Sequence, residues 1–145
     1  MRTSAREMPK SVEYEKCLLG GILLAPDQLP ALREIVSADD FYLPEHARLM
    51  SALCRMEADG QPIDMVTVPD MISKARDPSV FGGLTYVLQL ADAVPSTTNL
   101  AHYATGVRQT SLLRQFIAHT QSMTGKAFDQ SDDIGRLIEE TSAKL

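Results

Sequence analysis

Apolar residues return at the three-to-four-residue spacing of an α-helix along nearly the whole chain, which restricts the fold to one built from helices. The pattern is cleanest near the end, where Ile134, Leu137, Ile138, Thr141 and Leu145 fall at i, i+3, i+4, i+7 and i+11. No cap, glycine stop or proline follows this stripe, so the helix is expected to continue into a longer protein. The last third, Asn99 to Leu145, reads as two amphipathic helices joined by the acidic turn Asp129–Asp133. Two antiparallel helices bury only their facing stripes, and the outer apolar positions left over predict a surface made for another chain.

Upstream, the pattern breaks into short helices. Ser11 is a candidate N-cap with Glu13 in the first turn, and Leu18, Leu19, Ile22 and Leu23 follow. Gly20-Gly21 inside this helix costs about 1 kcal/mol per glycine against alanine, which predicts close approach of another helix. Pro26-Asp27 opens a second helix carrying Leu29, Leu32, Ile35 and Val36. After the break Ser37–Asp40, Phe41-Tyr42-Leu43 is an apolar plug, and Pro44 starts a helix that stops at Asp59-Gly60. Thr67 is a capping-box-like start for a helix closing at Asp77-Pro78. Gly82-Gly83 reads as an entry turn to Leu84, Val87, Leu88 and Ala91. Val66-Thr67-Val68 is the one β-like triplet, and the cap signal inside it argues for a helix instead. The chain is therefore expected to be all-α. Residues 1–10 form a flexible N-terminal arm, 11–94 a helical globular head, and 95–145 a linker and antiparallel helical hairpin.

The 145 residues carry a formal net charge of -5, so strong, direct nucleic-acid binding is disfavoured. Cys17 and Cys54 match neither a disulfide framework nor a zinc motif and are expected to be buried, reduced thiols. No apolar run approaches the ~18–20 residues of a membrane span, and a soluble, cytoplasmic protein without a membrane role is expected. Gly125-Lys126 is no P-loop, because Thr120 stands where glycine is needed and Ala127 follows the lysine. His46, His102 and His119 lack metal-ligand spacing, and His46 reads as a hydrogen-bonded structural residue. Asp39-Asp40 and Asp132-Asp133 sit at helix starts, where capping accounts for them. No catalytic, cofactor-binding or metal site is expected in this chain.

Taken in order, the segments resemble a known family. They are Ser11-Val-Glu-Tyr-Glu-Lys-Cys-Leu-Leu-Gly20, Asp40-Phe41 followed by His46, Gly60-Gln-Pro-Ile-Asp64, Gly82-Gly83 with Tyr86, Pro95-Ser96 with Asn99, then Tyr103-Ala104, Val107 and Arg114. This series is similar to the N-terminal domain of the DnaB family of replicative helicases. Lys16 and the segment His46–Met50 depart from the family's usual residues, and Gly106 puts a flexible residue in the hairpin.

The resemblance implies a collar domain of a hexameric replicative DNA helicase, non-catalytic by itself. It would mediate dimerisation, assembly as a trimer of dimers, and docking of a DnaG-type primase, with a helicase loader as a further candidate partner. ATP and magnesium would act in a motor domain absent from this chain, which would also carry most contact with nucleic acid. The expected oligomer interface is Leu100, Tyr103, Val107, Phe116, Ile134, Leu137 and Ile138 on the hairpin. The expected primase surface is Glu13, Tyr86, Ile117 and Met123, with the competing reading that Tyr86 and Ile117 are core residues. Arg108 and Arg114 are candidates for weak DNA contact. A reading from a different class is a free-standing helical adaptor, or a loader- or inhibitor-like protein that binds a replicative helicase.

Overall fold

The computed structural model describes residues 6–129 and 133–144, all of it helix, turn and loop without a strand. Apolar residues on nearly every side of α1 (Val12–Leu24) make it the centre of the head. Leu18, Leu19 and Ile22 are fully buried, and Leu23 nearly so. Around α1 lie α2 (Leu29–Leu32), α3 (Pro44–Ala58), α4 (Thr67–Ser73), α5 (Leu84–Asp92) and the first turns of α6 (Leu100–Asp129). Short 3-10 turns at Pro26–Gln28, Ala38–Asp40 and Pro78–Phe81 link them.

The glycine pair in α1 serves two helices at once. A Cβ on Gly20 would lie 2.0 Å from the Leu90 carbonyl oxygen on α5, and one on Gly21 would lie 2.2 Å from Leu100 on α6. Only bare backbone admits both neighbours at this distance. The expected helix–helix approach is therefore present twice.

Local capping differs in detail from the sequence reading. Ser11 occupies the N-cap position but makes no capping bond; its hydroxyl pairs instead with Thr110 Oγ1 at 3.1 Å. At α4 the capping residue is Asp64, not Thr67. The Asp64 carboxylate accepts the N–H groups of Val66 and Thr67, both at 2.8 Å, and the Thr67 hydroxyl accepts from Asp64 N–H at 3.0 Å. That helix ends at Ser73, and Asp77 instead caps the 3-10 turn after it by accepting from Ser79 N–H. Gly82 and Gly83 have φ of 89° and 92°, the left-handed region in which glycine avoids strain, and they form the expected entry turn. Of the apolar plug, Phe41 enters the core while Tyr42 stays exposed. Cys17 and Cys54 are free but only half-buried, which corrects the expectation of buried thiols.

The boundary expected at residue 94 does not separate head from hairpin. Leu100, Ala104, Val107 and Ser111 of α6 are buried against the head, so its core runs three turns into the long helix. The 30-residue α6 is about 45 Å long, and its distal part leaves the head to pair with α7 (Ile134–Lys144). A Lys126–Glu140 ion pair at 3.0 Å sets their antiparallel register. Asp133 caps α7 through its side chain to Arg136 N–H, while Asp132 and Leu145 lie outside the described residues. The arm is held where it meets the head: Arg114 donates to the Pro9 carbonyl at 2.9 Å, and the Lys10 ammonium sits 5.1 Å from the centre of the Tyr42 ring. Among the described residues no helix is long and apolar enough to cross a membrane.

Candidate partner interface

Two polar clusters tie the helices of the head to one another and to α6. The first joins head to hairpin. Asp40 closes a capping box with Ser37, accepting its N–H at 2.8 Å, and it also accepts from Ser111 and from Arg108, each at 2.8 Å. Burial alone would raise this carboxyl, but the hydrogen bonds from Ser37, Ser111 and Arg108, with the guanidinium charge, hold it below the usual carboxylate range. Arg114 adds a bond to the Asp40 carbonyl oxygen at 2.8 Å and lies over the Tyr42 ring. These contacts set the direction in which α6 leaves the head.

The second cluster ties α1, α3 and α5 together. Glu15 is fully buried, and its carboxylate accepts from Tyr42 N–H at 2.6 Å and pairs with His46 Nδ1 at 2.8 Å. His46, also fully buried, meets the Tyr86 hydroxyl through Nε2 at 2.6 Å. The expected structural role for His46 holds, with Glu15 and Tyr86 as its partners. Burial pushes the Tyr86 phenol up, reinforced by the nearby charges of Glu45, Glu15 and Glu13. Tyr86 is half-buried and packs against the core, as the competing reading had it, with its ring stacked on His46 at 5.9 Å between centroids and its hydroxyl held from inside.

Beyond the head, the hairpin carries apolar side chains without cover. Leu112, Leu113 and Phe116 on α6, and Ile134 and Ile138 on α7, are all exposed; Phe116 is 47% accessible and Ile134 68%. At 100° per residue, Leu112, Phe116, Met123 and Ala127 fall within about 60° on one side of α6. Met123 and Ala127 line an open apolar groove of about 260 Å³ with Ile134, Leu137 and Ile138. In the register set by Lys126 and Glu140, the described part of α7 reaches back only to about the level of Met123. Leu112 and Phe116 continue the same stripe past its end.

These placements sort the expected residues. Leu100 and Val107 are fully buried inside the head, and this corrects their assignment to an interface between chains: their surface is already occupied by α1 and its neighbours. Tyr103 is half-buried and packs on the Tyr14 ring, and Leu137 is buried within the hairpin. Phe116, Ile134 and Ile138 remain available. Arg108 and Arg114 are engaged by Asp40 and Pro9, which gives both a structural role within the chain. Glu13 and Tyr86 lie near each other at the head, whereas Met123 lines the hairpin groove and Ile117 is half-buried on the distal helix. Sequence reasoning missed the Asp40–Ser111–Arg108 cluster, whose members stand about 70 positions apart and share no local signal. Among the described residues no cluster of His, Cys, Asp or Glu is arranged to hold a metal ion.

Residues 7–109 match the model of the DnaB-like helicase N-terminal domain. The matched span ends where α6 leaves the head core. The chain is 34% identical over 142 residues to the replicative DNA helicase DnaB of Geobacillus stearothermophilus, covering 98% of this chain and 31% of that protein. A replicative DNA helicase of Bacillus subtilis is 30% identical over 137 residues, 94% of this chain and 30% of its own length. The chain therefore spans about a third of the length of these relatives. The crystal structure of the N-terminal domain of DnaB helicase from Mycobacterium tuberculosis is similar with a TM-score of 0.84 at 25% identity, covering 95% of this chain and 97% of that one. A structure of a DnaB-like replicative helicase and its interactions with primase shares the fold, with a TM-score of 0.73, 20% identity, and coverage of 93% and 31%. With the family model matching most of the chain and the helical architecture matching that crystal structure almost end to end, this chain belongs to the DnaB-like helicase N-terminal domain family.

Proposed function

We propose that this domain assembles and docks, and that it does so as the collar of a hexameric replicative DNA helicase. The observation that carries the reading is the uncovered stripe of the hairpin, Leu112 and Phe116 on α6 with Ile134 and Ile138 on α7. A second copy offers the same stripe, and a two-fold pairing of hairpins would cover both, giving dimers that build a trimer of dimers. Glu13 and Tyr86 at the head form the proposed surface for a DnaG-type primase, supported by the exposure of Glu13 and the fixed Tyr86 ring, with Ile117 on the distal helix as a separate proposed contact. Met123 belongs to that surface only where it borders the hairpin groove. ATP and magnesium would serve a motor segment outside this chain, as would most contact with DNA; a helicase loader is a further proposed partner.

Light scattering over a concentration series tests the assembly step. The wild-type chain is expected to approach twice its monomer mass, and Phe116→Glu with Ile138→Glu to hold it at monomer mass with unchanged helical circular dichroism. A wild-type chain that stays monomeric up to roughly 1 mM, where even an association of about -4 kcal/mol would show, would remove the hairpin as an assembly surface.

A further inference from the structure

Many basic side chains among the described residues have a carboxylate partner. Lys10, Lys16, Arg33, Lys74 and Arg108 pair with Glu7, Glu13, Glu57, Asp70 and Asp40. Arg48 and Arg55 on α3, like Arg6 and Arg76, make no hydrogen bond or ion pair among the described residues, and Arg48 and Arg55 stand on one helix. Seven positions apart, they lie within about 20° of each other on the helix and about 10 Å apart along it. Between them lie the exposed Ser51 and the half-buried Ala52, which packs against the core that holds Leu49, Leu53 and Met56. Val80 and Phe81, from the 3-10 turn Pro78–Phe81, complete an open groove of about 200 Å³ with these four residues, its surface more carbon than polar.

Helix electrostatics accounts for one of the two arginines. Arg55 stands in the last turn of α3, where a cation meets the negative end of the helix dipole. Arg48 stands in the second turn and has no such reason to be there. The acid whose charge it reaches is Asp77, whose Oδ1 accepts from the Ser79 hydroxyl at 2.6 Å and the Ser79 N–H at 3.1 Å, and among the described residues no ion pair joins Asp77 to Arg48. The outcome is an apolar floor between two uncommitted guanidinium groups.

We propose that this face of α3 is a docking groove for an acidic peptide segment of a partner protein, with two carboxylates about 10 Å apart flanking one or two apolar side chains. A peptide in the polyproline II conformation rises about 3.1 Å per residue and repeats every three residues, so carboxylates three positions apart lie on one face about 9 Å apart, close to the spacing of the arginines. Each guanidinium offers a fork of donors that fits a carboxylate in two bonds. The apolar residues between them would lie on Val80 and Phe81. A peptide fits better than a nucleic acid, because the floor between the arginines is apolar and suits side chains rather than a continuous phosphate backbone. The groove lies on the side of α3 turned away from His46 and the Tyr86 cluster, so the proposal is independent of primase docking and of hairpin pairing.

The test is fluorescence anisotropy on the full chain, using a labelled dodecapeptide with a Glu-Leu-Phe-Glu core in a Gly/Ser frame. Saturable binding that weakens with added salt is expected, with about tenfold weaker binding in Arg48→Gln/Arg55→Gln and a larger loss in Arg48→Glu/Arg55→Glu. Both arginines are exposed, and circular dichroism should show both variants folded. A control peptide with Lys-Leu-Phe-Lys in the core should not bind, and Glu-Ala-Ala-Glu should bind more weakly than the probe. The proposal is overturned if the double variants bind the probe as the wild type does, if the wild type does not bind it, or if a twenty-nucleotide oligo-dT binds more tightly through the same arginines.

Discussion

Replacing Gly20 by alanine sets two known effects against each other, and the structure decides which prevails. Helix propensity alone favours the change by about 1 kcal/mol, since glycine is a poor residue inside a helix. The added Cβ would stand 2.0 Å from Leu90 O, 2.6 Å from Val94 Cγ2 and 2.7 Å from the Leu90 carbonyl carbon. Ordinary contact begins near 3.4 Å, so α1 and α5 would have to separate by about 1.4 Å. Two of the three obstructing atoms are backbone, and no rotamer change relieves them. Overpacking of this kind costs about 1–3 kcal/mol and more where backbone must move, so Gly20→Ala should destabilise by about 2 kcal/mol net. For a domain of this size that lowers Tm by roughly 6 °C. Gly125 is the matched control: nothing lies within 4 Å of its Cβ position, so Gly125→Ala should stabilise by a few tenths to about 1 kcal/mol. Urea denaturation followed by circular dichroism reads both changes. Equal or greater stability of Gly20→Ala would refute the close approach of α1 and α5.

The other clusters give further expectations. The folded Asp40 carboxyl titrates below its unfolded value, so its contribution is present above about pH 4, the ordinary aspartate range, and is lost as pH falls through the lower folded pKa. Asp40→Asn should therefore be less stable at neutral pH and lose less stability on acidification than the wild type, measured by denaturant midpoints between pH 7 and pH 2. Tyr86→Phe removes the hydroxyl bonded to His46 Nε2 and leaves a buried ring nitrogen without its partner. A loss of about 1–3 kcal/mol in urea denaturation is expected, with the oligomeric state unchanged.

Much of the head was legible because its signals are local. Helical spacing, Pro44, Asp59-Gly60 and Gly82-Gly83 mark element ends through backbone preferences that act within a few residues. Gly20-Gly21 announced a close neighbour because an energetic penalty inside a helix needs an offset. What sequence could not tell was which chain covers an apolar stripe. Leu100 and Val107 lie on the same long helix as Phe116, yet they are buried in the head while Phe116 is exposed. Arg108 and Arg114 look alike as exposed cations on a helix, but both meet groups around Asp40, about 70 positions away. Gly106 reads as a flexible point, yet its role is spatial: a Cβ there would come within 2.3 Å of the Tyr14 ring, and α6 runs through it without a break. Each miss involves contacts set by the tertiary fold, which no window of neighbouring residues contains.

Pairing of the distal hairpin with a second copy of itself is the step on which the proposed assembly depends. The most direct measurement is an isotope-filtered NOE experiment on a mixture of labelled and unlabelled chain, which reports only contacts between molecules. The account predicts intermolecular NOEs from the Phe116 ring and from the Leu112, Ile134 and Ile138 methyl groups, and none from Leu100 or Val107. Intermolecular contacts confined to the head, or none at concentrations where the mass of a dimer is observed, would contradict it.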